Sequence, residues 1–300
     1  MNKYKIAGCL ILSAILLLSS SCADDTHAES GADVTSQQTT AEITSESETE
    51  ETEKPEEDTA VLTETVNGDG YTLTADGKLT ISSDNTVQTL TKPSDIPWYK
   101  YRSSIKEAVI ENGVTKISDY AFYECENLTS ASIPDSLKTI GKKAFWKCSS
   151  LEEIDLPDKM ELIDIYAFYN CTSITSVTVP SGVPNIRDGA FYGCTALESV
   201  SFSSDVVNVQ LLSFHGCTSL KEITVRGKLN TIGSGAFFNC TSLKTVNLGD
   251  TLKNIGSSAF NGCTSLEKIN FDGTEDDWKK VGKDNFWDYS TGTYTVSFGK

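Results

Sequence analysis

Residues 167–180 read AFYNCTSITSVTVP, and residues 236–249 read AFFNCTSLKTVNLG. The phrase recurs on a strict step of 23. Phe122, Phe145, Phe168, Phe191, Phe214, Phe237 and Phe260 hold that step through seven copies. Ala121, Ala144, Ala167, Ala190, Ala236 and Ala259 precede all but Phe214, which follows Ser213. Cys125, Cys148, Cys171, Cys194, Cys217, Cys240 and Cys263 keep the same interval, as do Leu128, Leu151, Ile174, Leu197, Leu220, Leu243 and Leu266. Self-similarity at a fixed period marks a chain of stacked units, each unable to bury its apolar face alone.

Each copy follows A-F-x-x-C-x-x-L-x-x-V-x-V-x-x-x-L-x-x-I-G. The apolar set in the Phe214 copy is Phe214, Cys217, Leu220, Ile223, Val225, Leu229 and Ile232. The spacing of two between Ile223 and Val225 suits a β-strand, whose side chains alternate between faces. The remaining spacings suit tight arcs that aim an apolar residue inward at each step. Ile105, Ala108, Ile110, Val114 and Ile117 lie 23 residues before Leu128, Ala131, Ile133, Leu137 and Ile140, so a partial copy precedes the first full one. At the other end the pattern decays, with Glu275 in the place of Leu252 and Trp278 in that of Ile255. Decay is expected of a capping unit.

The flanks carry signals of their own. Residues 71–74 and 78–82 alternate around Asp76-Gly77, a hairpin signal. That hairpin would cover the open edge of the stack, which otherwise pairs with other chains. Residues 293–298 (TYTVSF) would close the far end, with Trp278, Phe286 and Trp287 packed on the last turn.

The repeat resembles the BspA-like (treponemal-type) leucine-rich repeat of bacterial surface proteins, over about residues 105–278. The phrases AFYNCTSITSVTVP, AFFNCTSLKTVNLG and GAFYGCTALESV carry the resemblance. GYTLTADGKLTIS followed by PWYKYRSSIKEAVIENGV looks like the strand-rich segment that leads into such repeats, and GTEDDWKKV like their closing segment. The resemblance implies a leucine-rich repeat solenoid: β-rich, with parallel strands stacked at a 23-residue period, an N-terminal β-hairpin cap and a C-terminal cap. For function it implies binding to varied partners, including host extracellular proteins and other cells. The expected division is 1–22 signal peptide, 23–64 tether, 65–104 N-terminal cap, 105–271 repeats and 272–300 C-terminal cap.

Residues 1–5 carry two lysines, 6–18 form an apolar run, and Ser19-Ser20-Ser21 lead to Cys22. A basic start, a short apolar run and small residues make a secretory signal, too short to span a bilayer. Cys22 after small residues resembles a bacterial lipobox, in which cleavage before the cysteine precedes lipidation of its thiol, although Leu18 sits one place too far away. Ser21-Cys22-Ala23 also fits ordinary secretion with cleavage before Asp24. Diacylation would hold the mature chain on a membrane, where one acyl chain is marginal. Residues 23–64 hold fourteen Asp/Glu and one Lys, whereas 65–300 hold 28 acidic and 22 basic residues. The net charge of −17 is therefore concentrated in one Thr/Ser/Glu-rich segment, read as a disordered, self-repelling tether. No basic patch points to nucleic acid.

Nine cysteines in a secreted chain suggest disulfides, but these recur at one position per copy. Neighbours would stand about 4.8 Å apart with parallel side chains, a poor match to the near-90° torsion of a cystine. A ladder of buried thiols fits better. Paired CxxC motifs and histidine ligands are lacking, so no metal or other cofactor is expected. Cys9 lies in the signal segment. The chain carries no G-x-S-x-G, Walker loop or HExxH, and adjacent acids such as Glu152-Glu153 point to opposite sides of a strand, so no enzyme is expected.

Stacking turns each outward position into a row. One row runs Ser132, Asp155, Thr178, Ser201, Thr224, Asn247, Asn270 on the strand face taken as the inner, concave surface, and suits a flat hydrogen-bonding contact or merely a solvated sheet. A second follows each phenylalanine: Tyr123, Trp146, Tyr169, Tyr192, His215, Phe238, Asn261. Such a stripe either anchors a protein or stacks on sugar rings, or its members pack on one another and stiffen the edge. The expected partner is a host or neighbouring-cell protein or glycan, with a structural envelope lipoprotein and a polysaccharide-capture protein as alternatives. If the stripe is the binding site, Trp146, Tyr169 and Tyr192 are expected to tolerate joint replacement by alanine with little change in stability.

Overall fold

A computed structural model describes residues 60, 62–84 and 90–299. The readings placed on residues 1–22 and on most of the tether lie outside the described residues. Among the described residues no helix is long and apolar enough to cross a membrane.

The chain winds as a parallel β-solenoid, and each coil takes its name from its phenylalanine. Every full coil has a tight turn carrying the phenylalanine and a two-residue strand, and all but the Phe145 coil add a strand of up to four residues. The longer strands stack in register: Ser199 lies beside Ser176, Glu222 beside Thr245, and Asn247 beside Asn270. The short strands stack likewise, Asn185 beside Asn208 and Thr231 beside Asn254. Strand Ser176–Val179 alternates exposed and buried along its four residues, as the spacing of two predicts. Val, Ile and Thr dominate these strands because branched side chains suit a pleated, half-buried surface.

The core is one column of layers. Phe122, Phe145, Phe168, Phe191, Phe214, Phe237 and Phe260 are fully buried, and consecutive rings stack with centroids 4.9–5.4 Å apart. Burying one such side chain is worth roughly 1.5–3 kcal/mol, and no coil retains that without a neighbour. The turn needs two left-handed residues four apart. Gly189 and Gly193 take φ of +57° and +70°, and their equivalents Tyr166 and Asn170 take +57° and +55°. Glycine and asparagine accept this readily. Tyr166 does so with its ring over the next coil's Gly189, where a Cβ would collide with it.

Both ends are capped as predicted in kind. Val66–Gly68, Tyr71–Leu73 and Lys78–Ile81 form an antiparallel meander, and Lys78–Ile81 pairs in parallel with Glu107–Ile110 of the first coil. Ile105, Ala108, Ile110, Val114 and Ile117 are buried, so the partial copy is a genuine coil. At the far end Thr295–Phe298 pairs in parallel with Lys268–Phe271.

Three details of the C-terminal reading are corrected. The final coil has not simply decayed: it is lengthened by the helix Glu275–Lys280, so Ile255 lies beside Lys283, not Trp278. Glu275, in the first turn of that helix, takes no apolar place in the stack. Phe286, expected to pack on the last turn, is 66% exposed and touches Tyr289 edge-on. Trp278 and Trp287 do pack on the core, and Trp287 meets Phe260 edge-on at 6.2 Å. Trp98 closes the other end, buried, its indole N–H donating to Ala121 O at 2.6 Å.

Candidate functional site

The turn face is built from the residue after each phenylalanine. Because Phe points inward, this next side chain lies at the surface, and the 23-residue step sets it over its equivalent. The rings stack face to face: Tyr123 on Trp146 at 5.9 Å, Trp146 on Tyr169 at 3.8 Å, Tyr169 on Tyr192 at 4.7 Å. Tyr192 then stacks on His215 at 4.3 Å and His215 on Phe238 at 4.9 Å, with interplanar angles of at most 12° throughout. Tyr166 braces the column edge-on against Trp146 and Tyr169, Tyr120 does the same to Tyr123, and the Lys143 ammonium lies 4.5 Å from the Trp146 ring centre.

This geometry decides what the stripe can do. A sugar ring binds an aromatic side chain through the ring face, and along the column those faces cover one another. The rings themselves are half-buried, and in the same turns Ile165 and Leu212 are half-buried and Leu211 is 44% exposed. The site can offer an apolar, edge-on contact to a protein surface. Partial burial, then the Glu124 charge beside it, pushes the Tyr123 hydroxyl up to about 12. Burial lowers the pKa of His215, whose Nδ1 is buried without a hydrogen-bond partner.

The strand face divides. Ser132, Asp155, Thr178, Ser201 and Thr224 are exposed. Asn247 is only 7% exposed and belongs to a hydrogen-bonded ladder. Its Nδ2 donates to Glu222 Oε1 at 2.6 Å and to Thr224 Oγ1 at 2.8 Å; its Oδ1 accepts from Asn270 Nδ2 at 2.6 Å. Ser297 Oγ completes the run by donating to Asn270 Oδ1 at 2.6 Å. Asn247 thus spends its polar atoms on its neighbours. Ser297 joins this row four residues off the repeat step, which is why the periodicity missed it. Tyr289 was missed for the same reason: its carbonyl accepts from Gly262 N, which places it next after Asn261 in the turn-face row.

None of the seven repeat cysteines is in a disulfide, and all are buried. Six of their thiols donate across the stack to a phenylalanine carbonyl at 3.0–3.2 Å, from Cys148 to Phe122 O through Cys263 to Phe237 O. Burial raises the pKa of Cys148, Cys194, Cys217, Cys240 and Cys263, the last to about 12. Among the described residues no group of three or more His, Cys, Asp or Glu side chains is placed to hold a metal ion.

Parallel coils, all but the last of one length, a core of phenylalanine and leucine-type positions, and capped ends define a leucine-rich repeat solenoid. A family model for the BspA type leucine rich repeat region matches residues 97–221 and 185–297, and the chain belongs to that family. Among solved structures it is similar to a leucine-rich repeat protein of Bacteroides ovatus, at 24% identity and a TM-score of 0.51, over 79% of this chain and 71% of that one. It is also similar to a leucine rich cell surface protein of Faecalibacterium prausnitzii, at 19% identity and a TM-score of 0.40, over 73% and 98% of the two chains. The leucine rich repeat protein of T. pallidum matches at 28% identity and a TM-score of 0.39, over 67% and 81%. No curated protein matches the chain.

Proposed function

We propose that the protein is a surface-displayed binding module that engages a protein partner along its turn face. The observation that carries this is the half-buried aromatic column with Leu211 exposed in the same turns. Tyr and Trp edges supply contact area at low entropic cost, a property shared by interface hot spots. The closed ring faces favour a protein over a glycan. The signal segment and Cys22 support display from a membrane by a lipid anchor, with residues 23–64 as the tether. A Cys22→Ala chain that still incorporates labelled palmitate would defeat the anchor.

The test of the binding face leaves the column intact. Leu211→Glu combined with Tyr169→Phe and Tyr192→Phe puts a charge and lost hydroxyls on the turn face. Thr178→Glu with Ser201→Glu charges the strand face. Both chains are assayed on parallel arrays of extracellular proteins and of glycans. Loss of a protein signal in the first chain alone supports the reading; loss in the second alone, or glycan binding by the wild type, refutes it. A scaffold without a soluble partner is the second reading, favoured by the self-stacking of the rings, and it predicts no saturable signal on either array.

A further inference from the structure

Between the Phe145 and Phe168 coils both strand ladders stop. The longer strand Ser176–Val179 is the edge of its sheet, and the preceding coil offers it only residues 153–156, which form a single backbone bridge, Glu153 to Ser130. Across the seam Thr175 N reaches Glu152 O at 3.4 Å, against 2.8 Å for Glu198 N to Thr175 O one coil on; on the far side of the Phe145 coil, Glu152 N reaches Thr129 O at 3.5 Å. The short strands also break, since Leu162–Ile163 ends one sheet and Asn185–Ile186 begins another.

The second break has a covalent cause. Glu161 N donates to Lys138 O at 2.8 Å, and Val207 N to Pro184 O at 2.7 Å. In the coil between them that position is Pro184, which has no N–H to give to Glu161 O. Asn208 and Gln210 donate across the stack to Pro184 O and Ile186 O at 3.3 and 2.9 Å, and their equivalents Asn185 and Arg187 make no such bonds. Arg187 bridges the gap by one loose ion pair, Nη2 to Asp164 Oδ1 at 3.7 Å, and its buried Nε lacks a partner.

The turn face holds fast on both sides of this gap. Phe145 N and Lys147 N donate to Ala167 O and Tyr169 O at 2.8 and 2.7 Å; Phe168 N and Asn170 N donate to Ala190 O and Tyr192 O at 2.8 and 2.7 Å. The 3.8 Å stack of Trp146 on Tyr169 lies on the same face. In the core beside the gap sits Met160, an unbranched side chain that refills irregular space easily.

We propose that this seam is a hinge: the coils before and after it rotate about the aromatic turn face, opening and closing the strand faces between residues 152–163 and 175–186. Packed elements move as bodies about a few positions that absorb the change, and a repeat stack opens where its nearest-neighbour interface is weakest. The exposed pairs Ser132–Asp155 and Thr178–Ser201 lie on opposite sides, so the hinge sets the spacing of any partner contact that spans the strand face.

Spin labels on the whole secreted chain test this. Ser130→Cys with Glu222→Cys crosses the seam; Ser176→Cys with Lys268→Cys spans the same four coils, about 19 Å at the usual strand spacing, within the C-terminal stack. The crossing pair is expected to give a distance distribution about twice as wide, and Asn185 and Arg187 to exchange amide hydrogen at least roughly tenfold faster than Asn208 and Gln210. Pro184→Val installs the residue that Val207 supplies one coil later and should narrow the crossing distribution and slow both amides, leaving the control pair unchanged. Equal widths in the wild type, or a P184V chain as broad as the wild type, overturns the proposal.

Discussion

Replacing Tyr169 by alanine removes the middle ring of the turn-face column. The ring stacks on Trp146 at 3.8 Å and on Tyr192 at 4.7 Å, and meets Tyr166 edge-on at 5.8 Å. At about 0.5–1.5 kcal/mol for each aromatic pair, the loss is about 1.5–4.5 kcal/mol before any change in buried area. A domain is stable by only about 5–15 kcal/mol, so one substitution removes a large share. The expectation that Trp146, Tyr169 and Tyr192 can all become alanine at little cost therefore fails on geometry: the three together account for four face-to-face contacts and two edge contacts. Urea unfolding of Tyr169→Ala, Tyr192→Ala and the double variant provides the assay, with Tyr169→Phe as the control that keeps the stack. Tyr169→Ala should lose more than about 1.5 kcal/mol and Tyr192→Ala, with two ring contacts, more than about 1, the phenylalanine variant less than about 0.5, and the double variant less than the sum because the pair shares one contact. An alanine variant within about 0.5 kcal/mol of wild type would show that the rings merely lie side by side.

Three further outcomes rest on the same packing. Alkylation of the native chain should leave all seven repeat thiols unmodified and unfolding should release them together, because burial disfavours the thiolate; a repeat cysteine that reacts in the native state contradicts the ladder. The lowered pKa of His215 means the folded chain refuses a proton that the unfolded chain accepts at the ordinary value of 6.5. Its contribution is fully present above pH 6.5 and is lost progressively as the pH falls below it, by at most about 1.4 kcal/mol per pH unit; His215→Phe, the residue found next in the column, should flatten that part of the stability profile, and an unchanged profile refutes the assignment. Asn247→Ala leaves Glu222 and Thr224 without its donor and Asn270 without its acceptor, for a loss of about 1–3 kcal/mol in chemical denaturation. Thr178→Ala, on the exposed part of the same row, should change stability by less than about 0.5 kcal/mol.

The stack was legible in the sequence because its causes are periodic. Phe, Cys and the Leu-type position each recur where burial demands an apolar group, and the spacing of two marks the strand. The partial copy at Ile105–Ile117 was readable on the same grounds, since burial leaves a pattern even where the phenylalanine is missing. The seam was not. Residues 151–163 and 174–186 satisfy the apolar template as well as any copy, and the defect is a missing N–H at Pro184 and two long backbone bonds at Glu152, which no count of apolar positions registers. The final coil was misread because a helix of six residues shifts the register, so that Lys283 and Tyr289 occupy places the 23-residue step assigns elsewhere. The rows of candidate residues follow the repeat step, but a row does not say whether its members face solvent or one another. For Asn247 and for the rings that depends on distances of 2.6–5.9 Å between neighbours, and only the fold supplies those.

A repeat divides its own residues by duty. Positions held constant along the stack are those each coil needs to sit on the next, and the turn-face rings now belong partly with them, since their faces are used internally. Recognition of a particular partner must then rest on positions where the copies differ. On the turn face these are Leu211, the Lys143 ammonium over Trp146, and Asn261, which interrupts the aromatic run. On the strand face they include Asp155 and, in the row two residues earlier (Ser130, Glu153, Ser176, Ser199, Glu222, Thr245, Lys268), Glu153; these two carboxylates lie directly beside the seam. These two carboxylates and the proposed hinge thus share one place on the strand face, and a chain carrying both Pro184→Val and Asp155→Ser separates a role of either from the proposed turn-face contact. If the turn face alone recognises the partner, this double variant binds with wild-type affinity; a loss reproduced by P184V alone would show that the partner reads the angle between the two stacks.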